Sequence, residues 1–319
     1  KIKRLFTTFE KNFNIQKSFI VAVSGGPDSL ALAFLTKIYS IKYNLSCRYF
    51  IVDHKLRRES TDEAMKVKKI LNNFNIKSEI LTWNGKKPIN NIQSLARKKR
   101  YDLLSLKCKQ LKISNLIIGH HMDDLFENFF IRMIRGSGLK GLISFDKKSK
   151  IDNINLIRPL LDLDKKDLIY ICNYIFGSFV KDPSNENERF KRVKIRNFLT
   201  QLESEGLDKN KFLLTIKNLK FADETIKFYT KKNLRENISF FEKKKSIILK
   251  QKFFENSAEV IFRSFTEIVK LVGKKYYPVR GKKVDDILKL INTKSQFKVT
   301  LGNCIIKKFN ETVIVSKEQ

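Results

Sequence analysis

The residues best suited to chemistry lie in one short segment after the first apolar run of the chain, residues 19–23. The segment consists of Ser24, Gly25, Gly26, Pro27, Asp28 and Ser29. Two adjacent glycines let the backbone turn sharply and bring its N–H groups close to an anion, and a following helix adds its positive N-terminal end. Asp28 is a candidate ligand for a metal ion bridging phosphates. An ordinary strand-to-helix turn is the alternative, but the position after a buried strand favours a phosphate-binding loop.

A second polar segment, residues 119–127, follows the apolar run at residues 116–118. On a helix that begins here, Asp123 and Glu127 share a face, with Asp124 beside them. Carboxylates and imidazoles could coordinate Mg²⁺ or act as a general base, so His120, Asp123 and Asp124 are predicted catalytic residues. Helix capping is the alternative, and we expect it for one of the acids.

Arginines form a third candidate group. Arg97 and Arg100 are three residues apart on a predicted helix and could grip phosphates of a nucleotide or of RNA. A solvated basic face explains the same pattern equally well. His54, after the second apolar run, is equally ambiguous when taken alone.

The elements that position these residues alternate between strands and helices. The predicted strands are residues 19–23, 49–52, 79–82 and 116–118, and the predicted helices are residues 30–40, 61–73 and 92–111. This alternation predicts an α/β fold with a parallel sheet covered on both faces, whose ligands bind at the carboxyl ends of the strands. The three candidate groups fall at or near those ends.

The second half of the chain has a different pattern. It contains predicted helices at residues 212–229, 258–271 and 284–291, followed by alternating runs at 297–301 and 312–315 that suggest a small hairpin. We therefore predict a catalytic domain over residues 1–203 and a smaller, basic, mainly helical domain over residues 204–319.

Composition narrows the class of protein. The 319 residues include 65 Lys plus Arg against 33 Asp plus Glu, a formal charge of +32, which predicts a polyanionic partner such as nucleic acid. Codon bias of an AT-rich genome is the alternative explanation of the lysines. The sequence shows no run apolar enough to span a membrane and no secretory signal, and its four cysteines are scattered. We expect reduced thiols in a cytoplasmic protein that does not bind membranes.

Two other nucleotide-binding patterns do not fit. No Gly-Lys pair is followed by serine or threonine, so there is no Walker A loop. Residues 136–141 satisfy GxGxxG but follow a predicted helix rather than a strand, which excludes a dinucleotide fingerprint.

Taken in order, the motifs resemble those of the tRNA(Ile)-lysidine synthetases, within the PP-loop ATP pyrophosphatase superfamily. The matching segments are residues 24–29, 52–57, 96–101, 119–127, 135–142, 158–161 and 182–185, with Arg192 and Arg196 after them. The sequence departs from the family pattern at Lys55, where the family usually has glycine, and at Leu125, Asn128 and Val193.

The resemblance implies a ligase that uses ATP and Mg²⁺. The wobble cytidine (C34) of tRNA(Ile) with a CAU anticodon is adenylated with release of diphosphate, and free L-lysine then replaces AMP at C2. Codon reading changes from AUG to AUA. The segment Ser24–Ser29 with Arg100 and His54 would bind ATP, and Asp28 and Asp124 the metal. Asp28, Arg97, His120, Asp123 and Asp124 would be catalytic, with Asp123 or Asp124 accepting the proton of the lysine amine.

For tRNA we predict contacts from six basic residues: Arg192, Arg196, Lys274, Lys275, Arg280 and Lys282. A homodimer is an open alternative. The rival functions are a tRNA thiolase of the same superfamily, which typically needs CxxC cysteines that this chain lacks, a non-catalytic RNA-binding protein, and a synthetase acting on a small metabolite.

Overall fold

The computed structural model describes residues 1–57, 59–85, 92–180, 191–241, 246–274 and 279–318. The chain divides into two compact units, Lys1–Lys209 and Asn210–Gln319. The boundary expected from the sequence, between residues 203 and 204, lies a few residues earlier. No helix within the described ranges is long and apolar enough to cross a membrane.

The first unit is built on a six-stranded sheet with strand order β3-β2-β1-β4-β6-β5. Its strands are β1 (Phe19–Val23), β2 (Cys47–Asp53), β3 (Ser78–Thr82), β4 (Asn115–Ile117), β5 (Lys148–Ile151) and β6 (Ile154–Ile157). All neighbours pair in parallel except β5, which is antiparallel to β6. The predicted parallel sheet is confirmed. The strand order reverses at β1 and β4, the place where such sheets bind ligands.

Helices flank this sheet and connect its strands. They are α1 (Ile2–Asn12), α2 (Pro27–Lys42), α3 (Ser60–Asn72), α4 (Ile92–Gln110), α5 (Met122–Ile134), α6 (Leu139–Leu142), α7 (Lys165–Phe176) and α8 (Lys191–Ser204). Strand β1 buries apolar side chains on both faces of the sheet. Phe19 and Val21 belong to one apolar cluster, and Ile20 belongs to another that includes Leu104 of α4. Burying each such large apolar side chain stabilises the fold by about 1.5–3 kcal/mol.

The second unit combines helices with an antiparallel sheet. Its helices are α9 (Lys209–Glu236, whose first residue lies in the first unit), α10 (Ala258–Gly273) and α11 (Gly281–Thr293). Its strands are β7 (Ile238–Phe241), β8 (Ser246–Leu249), β9 (Gln296–Leu301), β10 (Cys304–Phe309) and β11 (Thr312–Lys317), in the order β7-β8-β11-β10-β9. Phe253, Phe265 and Ile306 lie fully buried in its core.

The predicted C-terminal hairpin needs a correction. Both predicted runs are strands, β9 and β11, but they do not pair with each other because β10 lies between them. The sequence of β10, CIIKKF, has two lysines in place of regular alternation, so its period is weak. The result is a five-stranded sheet in place of a two-stranded hairpin.

Candidate active site

The loop after β1 is held in shape by its own last residue. Ser29 Oγ accepts hydrogen bonds from the backbone N–H groups of Ser24 (3.1 Å) and Gly25 (3.0 Å) and donates to the carbonyl of Gly26 (3.0 Å). Helix α2 begins at Pro27, with Gly26 as an N-cap that supplies no side chain. The first turn of α2 therefore keeps N–H groups that no capping side chain occupies, the arrangement that binds anions.

Two glycines lie at close approaches of the backbone to neighbouring segments. Gly25 has φ +88°, and a Cβ there would lie 2.3 Å from Cγ2 of Val67. A Cβ on Gly119, after β4, would lie 3.3 Å from the backbone of Asp28. The loop after β4 thus packs directly against the first turn of α2, and the two predicted segments meet at one edge of the sheet.

His121 lies at the centre of the acidic residues. Its buried Nε2 is 3.6 Å from Oδ2 of Asp28 and 3.6 Å from Oδ2 of Asp124. The Nδ1 atom accepts a hydrogen bond from the backbone N–H of Asp123 (3.3 Å). Because Nδ1 is an acceptor, a neutral ring carries its proton on Nε2, facing the two carboxylates.

Two residues of the polar segment after β4 also cap helix α5. His121 caps α5, and Oδ2 of Asp124 accepts from the backbone N–H of His121 (3.0 Å), which completes a capping box. Burial opposes the charge of Asp124, but the two histidines and this hydrogen bond outweigh it and lower the pKa of Asp124. Burial raises the pKa of Asp28. The two carboxyl groups beside one imidazole are thus shifted in opposite directions.

Asp123 is paired with a residue far away in the sequence. Lys209 Nζ lies 2.8 Å from Oδ1 of Asp123, 3.3 Å from Asp164 and 3.2 Å from Glu203. Burial disfavours the ammonium charge, but the hydrogen bond and the charge of Asp123 raise the pKa of Lys209. An ammonium group therefore rests against one of the two acids predicted as a proton acceptor.

His120 lies beside Arg158, with the carboxylate of Asp124 also close enough to act on its charge. Its Nδ1 accepts a hydrogen bond from Nε of Arg158 (3.3 Å), and its ring packs edge-on against Phe145. Burial, followed by the charges of nearby arginines, lowers the pKa of His120 to about 3. The ring is therefore neutral at physiological pH.

The predicted nucleotide-binding arginines lie on α4. Arg97 donates to the hydroxyl of Tyr101 (3.2 Å), and its guanidinium lies over that ring. Arg100 donates to Nε2 of His54 (3.4 Å). Burial and the charge of Arg100 lower the pKa of His54 to about 4, so this ring is also neutral. Arg100 and His54 are brought together, as a shared ligand would require.

The predicted nucleic-acid residues fall into separate environments. Arg196 binds the buried Glu127 through Nε (2.8 Å) and a terminal nitrogen (2.7 Å), so its guanidinium already has an intramolecular partner. Arg192 is exposed at the start of α8. Among the second-unit residues Lys274, Arg280 and Lys282 are exposed, and Lys275 lies outside the described residues. The predicted motif at residues 182–185 also lies outside them.

Asp28 and Asp124 fit a magnesium ion. Within the described ranges, no group of three or more histidine, cysteine or acidic side chains is arranged to hold a metal by itself. Mg²⁺ does not need one, because it keeps several waters and binds through one or two carboxylates plus substrate phosphates. Oδ1 of Asp28 is buried and has no hydrogen-bond partner among the described residues, so it is available as an oxygen ligand.

Sequence reasoning missed three participants. His121 is adjacent to His120 in the sequence, and spacing alone does not show that it is the histidine between the acids. Lys209 carried no signal because lysines are abundant throughout this chain. Arg158 was noted only as part of a motif, with no role attached.

A Gly-rich loop after β1, facing acidic residues at the strand-order reversal, defines a PP-loop domain. The family model of the PP-loop domain (ATP_bind_3) matches residues 1–203. Curated relatives match nearly the whole chain. The tRNA(Ile)-lysidine synthase of Orientia tsutsugamushi is 32% identical over 98% of this chain and 71% of its own length. That of Wolbachia from Brugia malayi is 29% identical over the whole chain and 75% of its own length. The chain belongs to the tRNA(Ile)-lysidine synthase family of PP-loop proteins.

A solved structure shows the same fold at lower identity. The U34-tRNA thiolase of Methanococcus maripaludis, determined with its 4Fe-4S cluster, superposes with a TM-score of 0.60 at 19% identity. The match covers 68% of this chain and 78% of that one. At this identity the likeness supports the fold alone.

Proposed function

We propose that the protein ligates L-lysine to C2 of the wobble cytidine of tRNA(Ile) with a CAU anticodon, using ATP and forming AMP and diphosphate. The observation that carries the proposal is the meeting of the PP-loop with Asp28, His121 and Asp124 at one edge of the sheet. Membership of the family supplies the substrate. The product would read AUA in place of AUG.

In this proposal the loop binds the phosphates of ATP. The N–H groups at the start of α2 face the diphosphate that leaves, and the guanidinium groups of Arg97 and Arg100 offset developing charge. Asp28 and Asp124 would hold Mg²⁺, which supplies Lewis-acid stabilisation of phosphoryl oxygens when bound. The cytidine O2 attacks the α-phosphate, and the chain's role in this step is to align the two reactants.

The second step needs a neutral amine. A lysine ammonium has a pKa of about 10.4 and must lose a proton before it attacks C2. Asp123 is the better candidate for accepting this proton, because Asp124 already accepts the backbone N–H of His121 and would also hold the metal. Lys209 shows that the carboxylate of Asp123 can hold an ammonium group at 2.8 Å.

The testing experiment is ATP-dependent transfer of ¹⁴C-lysine to an unmodified tRNA(Ile) transcript. We expect RNase-sensitive label with the wild type and with Asp62→Ala, an exposed acid of α3, and none with Asp28→Ala. Asp123→Ala should still release diphosphate in the presence of tRNA but lose lysine transfer. A transcript with uridine at the wobble position should stay unlabelled. Folded, tRNA-binding wild type that transfers no lysine would overturn the proposal.

The thiolase alternative has less support. None of the four cysteines forms a disulfide, and burial raises the pKa of Cys108 to about 11 and of Cys172 to about 12. Thiols that stay protonated are poor nucleophiles and poor cluster ligands. Sulfur transfer is the reaction to measure if lysine transfer fails.

A further inference from the structure

Arg158, the residue after β6, is immobilised although no substrate role has been given to it. Its side chain is 6% exposed. One terminal nitrogen donates to the carbonyl of Asp146 (2.7 Å) and to the hydroxyl of Ser149 (3.0 Å), while the guanidinium lies over the ring of Phe145 at 4.8 Å. Fixing a long side chain in this way leaves its Nε–H with one direction in which to donate.

That direction leads to His120. The Nε–H of Arg158 donates to Nδ1 of His120 at 3.3 Å. An arginine side chain has only donors, so Nδ1 must contribute a lone pair. A neutral imidazole has one protonated nitrogen, and the proton therefore resides on Nε2.

The second ring nitrogen of His120, Nε2, is the one that could donate a hydrogen bond to a ligand. Among the described residues, Nε2 of His120 has no hydrogen-bond partner, and the ring is only partly buried. The charged groups around the ring are three cations and one anion. The cations are Arg97 on α4, Arg158 after β6 and Arg192 on α8, and the anion is Asp124 on α5. This surrounding charge favours a neutral ring that donates a hydrogen bond, not a ring that accepts and releases protons.

We propose that Arg158 is a positioning residue that fixes His120 as the Nε2–H tautomer, so that His120 acts as a neutral hydrogen-bond donor to a substrate oxygen. The identity of that oxygen, on the cytidine or on the α-phosphate, rests on the proposed function. The tautomer does not, because it follows from the arginine contact alone.

The direct test is ¹⁵N NMR of protein labelled on histidine. The chain has three histidines, so the long-range ¹H–¹⁵N spectrum contains three ring systems, assigned by single His→Gln variants. We expect His120 to show a protonated Nε2 and an unprotonated, hydrogen-bonded Nδ1 throughout pH 5–8. A protonated Nδ1 in the wild type would overturn the inference.

The comparison variant is Arg158→Met, with Arg48→Met as the control. Arg48 is exposed on β2, so its replacement removes the same charge without touching a histidine. We expect the two ring nitrogens of His120 to move towards averaged shifts in Arg158→Met only. If that variant does not fold, Arg158→Lys is used with the same criterion. An unchanged His120 signal in a folded Arg158 variant contradicts the positioning role.

Kinetics then connect the tautomer to the reaction. Loss of a partner that orients a metal-ligating histidine typically costs about 10–100-fold in activity, and we expect a loss of the same order for a partner that orients His120. We expect this loss in kcat for lysine transfer, with little change in KM for ATP or lysine. A raised KM at unchanged kcat overturns the positioning role. If even the wild type transfers no lysine, the proposed function fails, while the NMR result still decides the inference about Arg158.

Discussion

Asp53, the last residue of β2, illustrates a residue whose role is structural although it lies next to the site. Its buried carboxylate accepts hydrogen bonds from the N–H of Lys55 (2.9 Å) and from the hydroxyls of Ser60 (2.8 Å) and Thr61 (2.7 Å). Burial opposes the charge, but these hydrogen bonds outweigh it and lower the pKa of Asp53. The carboxylate thereby fixes the turn from β2 to α3.

We expect Asp53→Asn to lower the free energy of unfolding by about 1–3 kcal/mol at pH 7, because an amide cannot accept all three bonds. A folded-state pKa below the unfolded value gives stability that is full above the unfolded pKa and is lost as pH falls through the folded pKa. Urea unfolding at pH 7 and near pH 3 measures the difference in free energy of unfolding between wild type and Asp53→Asn, which should be smaller near pH 3. Asp62→Asn is the exposed control. An effect of Asp53→Asn that is equally large at both pH values contradicts the assignment.

The sequence predicted the composition of the site better than its contacts. The types and order of Asp28, Asp123 and Asp124 follow from motifs, because each lies next to a strand end. Sequence spacing cannot determine which histidine lies between the acids, because this depends on the direction of the side chains at one turn. The partner of Asp123 is Lys209, 86 residues further along the chain, and no local pattern connects the two.

One departure from the family pattern has a clear conformational meaning. Lys55 has φ 48°, in the left-handed region that favours glycine. The family usually has glycine at this position, and this chain adopts the left-handed conformation there with a lysine. Leu125, a second departure, is buried, so its apolar side chain suits the environment that α5 gives it.

Among the elements, the connection between α10 and α11 carries the basic residues proposed for RNA contact. Lys274 ends α10 with φ 48°, and Arg280 caps α11, with Lys282 in its first turn. All three side chains are exposed.

Reversing these charges in Lys274→Glu/Arg280→Glu/Lys282→Glu should raise KM for tRNA and leave KM for ATP unchanged. Each lost phosphate contact should reduce the slope of log K against log salt by about 0.9. Filter binding at several salt concentrations measures the slope. The same reversal at Lys298, Lys307 and Lys317 of the C-terminal sheet is the matched control. Equal effects of both sets would indicate a general charge effect without a defined surface.

The elements that the sequence predicted well are those in which apolar residues recur with a regular spacing. Strands β1 to β4 are short β-branched or aromatic runs, and the helices between them carry apolar residues at helical spacing. Strands β5, β6, β7, β8 and β10 have no counterpart among the strands predicted from the sequence. β10 has adjacent lysines at 307 and 308, and β7 is largely exposed, so neither shows the alternation by which half-buried strands are recognised.

At the scale of the whole molecule, each unit has its own apolar core. The core of the second unit draws on α10, α11 and all four strands from β8 to β11. Among the residues that the structure describes, no buried member of that cluster comes from before residue 210.

We therefore expect a fragment of residues 210–319 to fold alone, with a cooperative urea transition followed by circular dichroism. Ile306→Ala in this fragment removes a fully buried side chain and should cost about 2–5 kcal/mol. Lys298→Ala, on β9, is the control and should be near neutral. A broad, non-cooperative transition of the unmutated fragment contradicts this expectation.

The hydroxyl of Ser29 has a consequence for the thermodynamics of ligand binding. By accepting from the N–H groups of Ser24 and Gly25 and donating to the carbonyl of Gly26, it restrains the loop through contacts within the chain. A mobile loop loses conformational entropy when it closes on a ligand, and that loss is subtracted from affinity. Here the contacts of Ser29 supply part of that ordering in the folded chain. A larger share of the free energy of contacting phosphates can therefore appear as affinity.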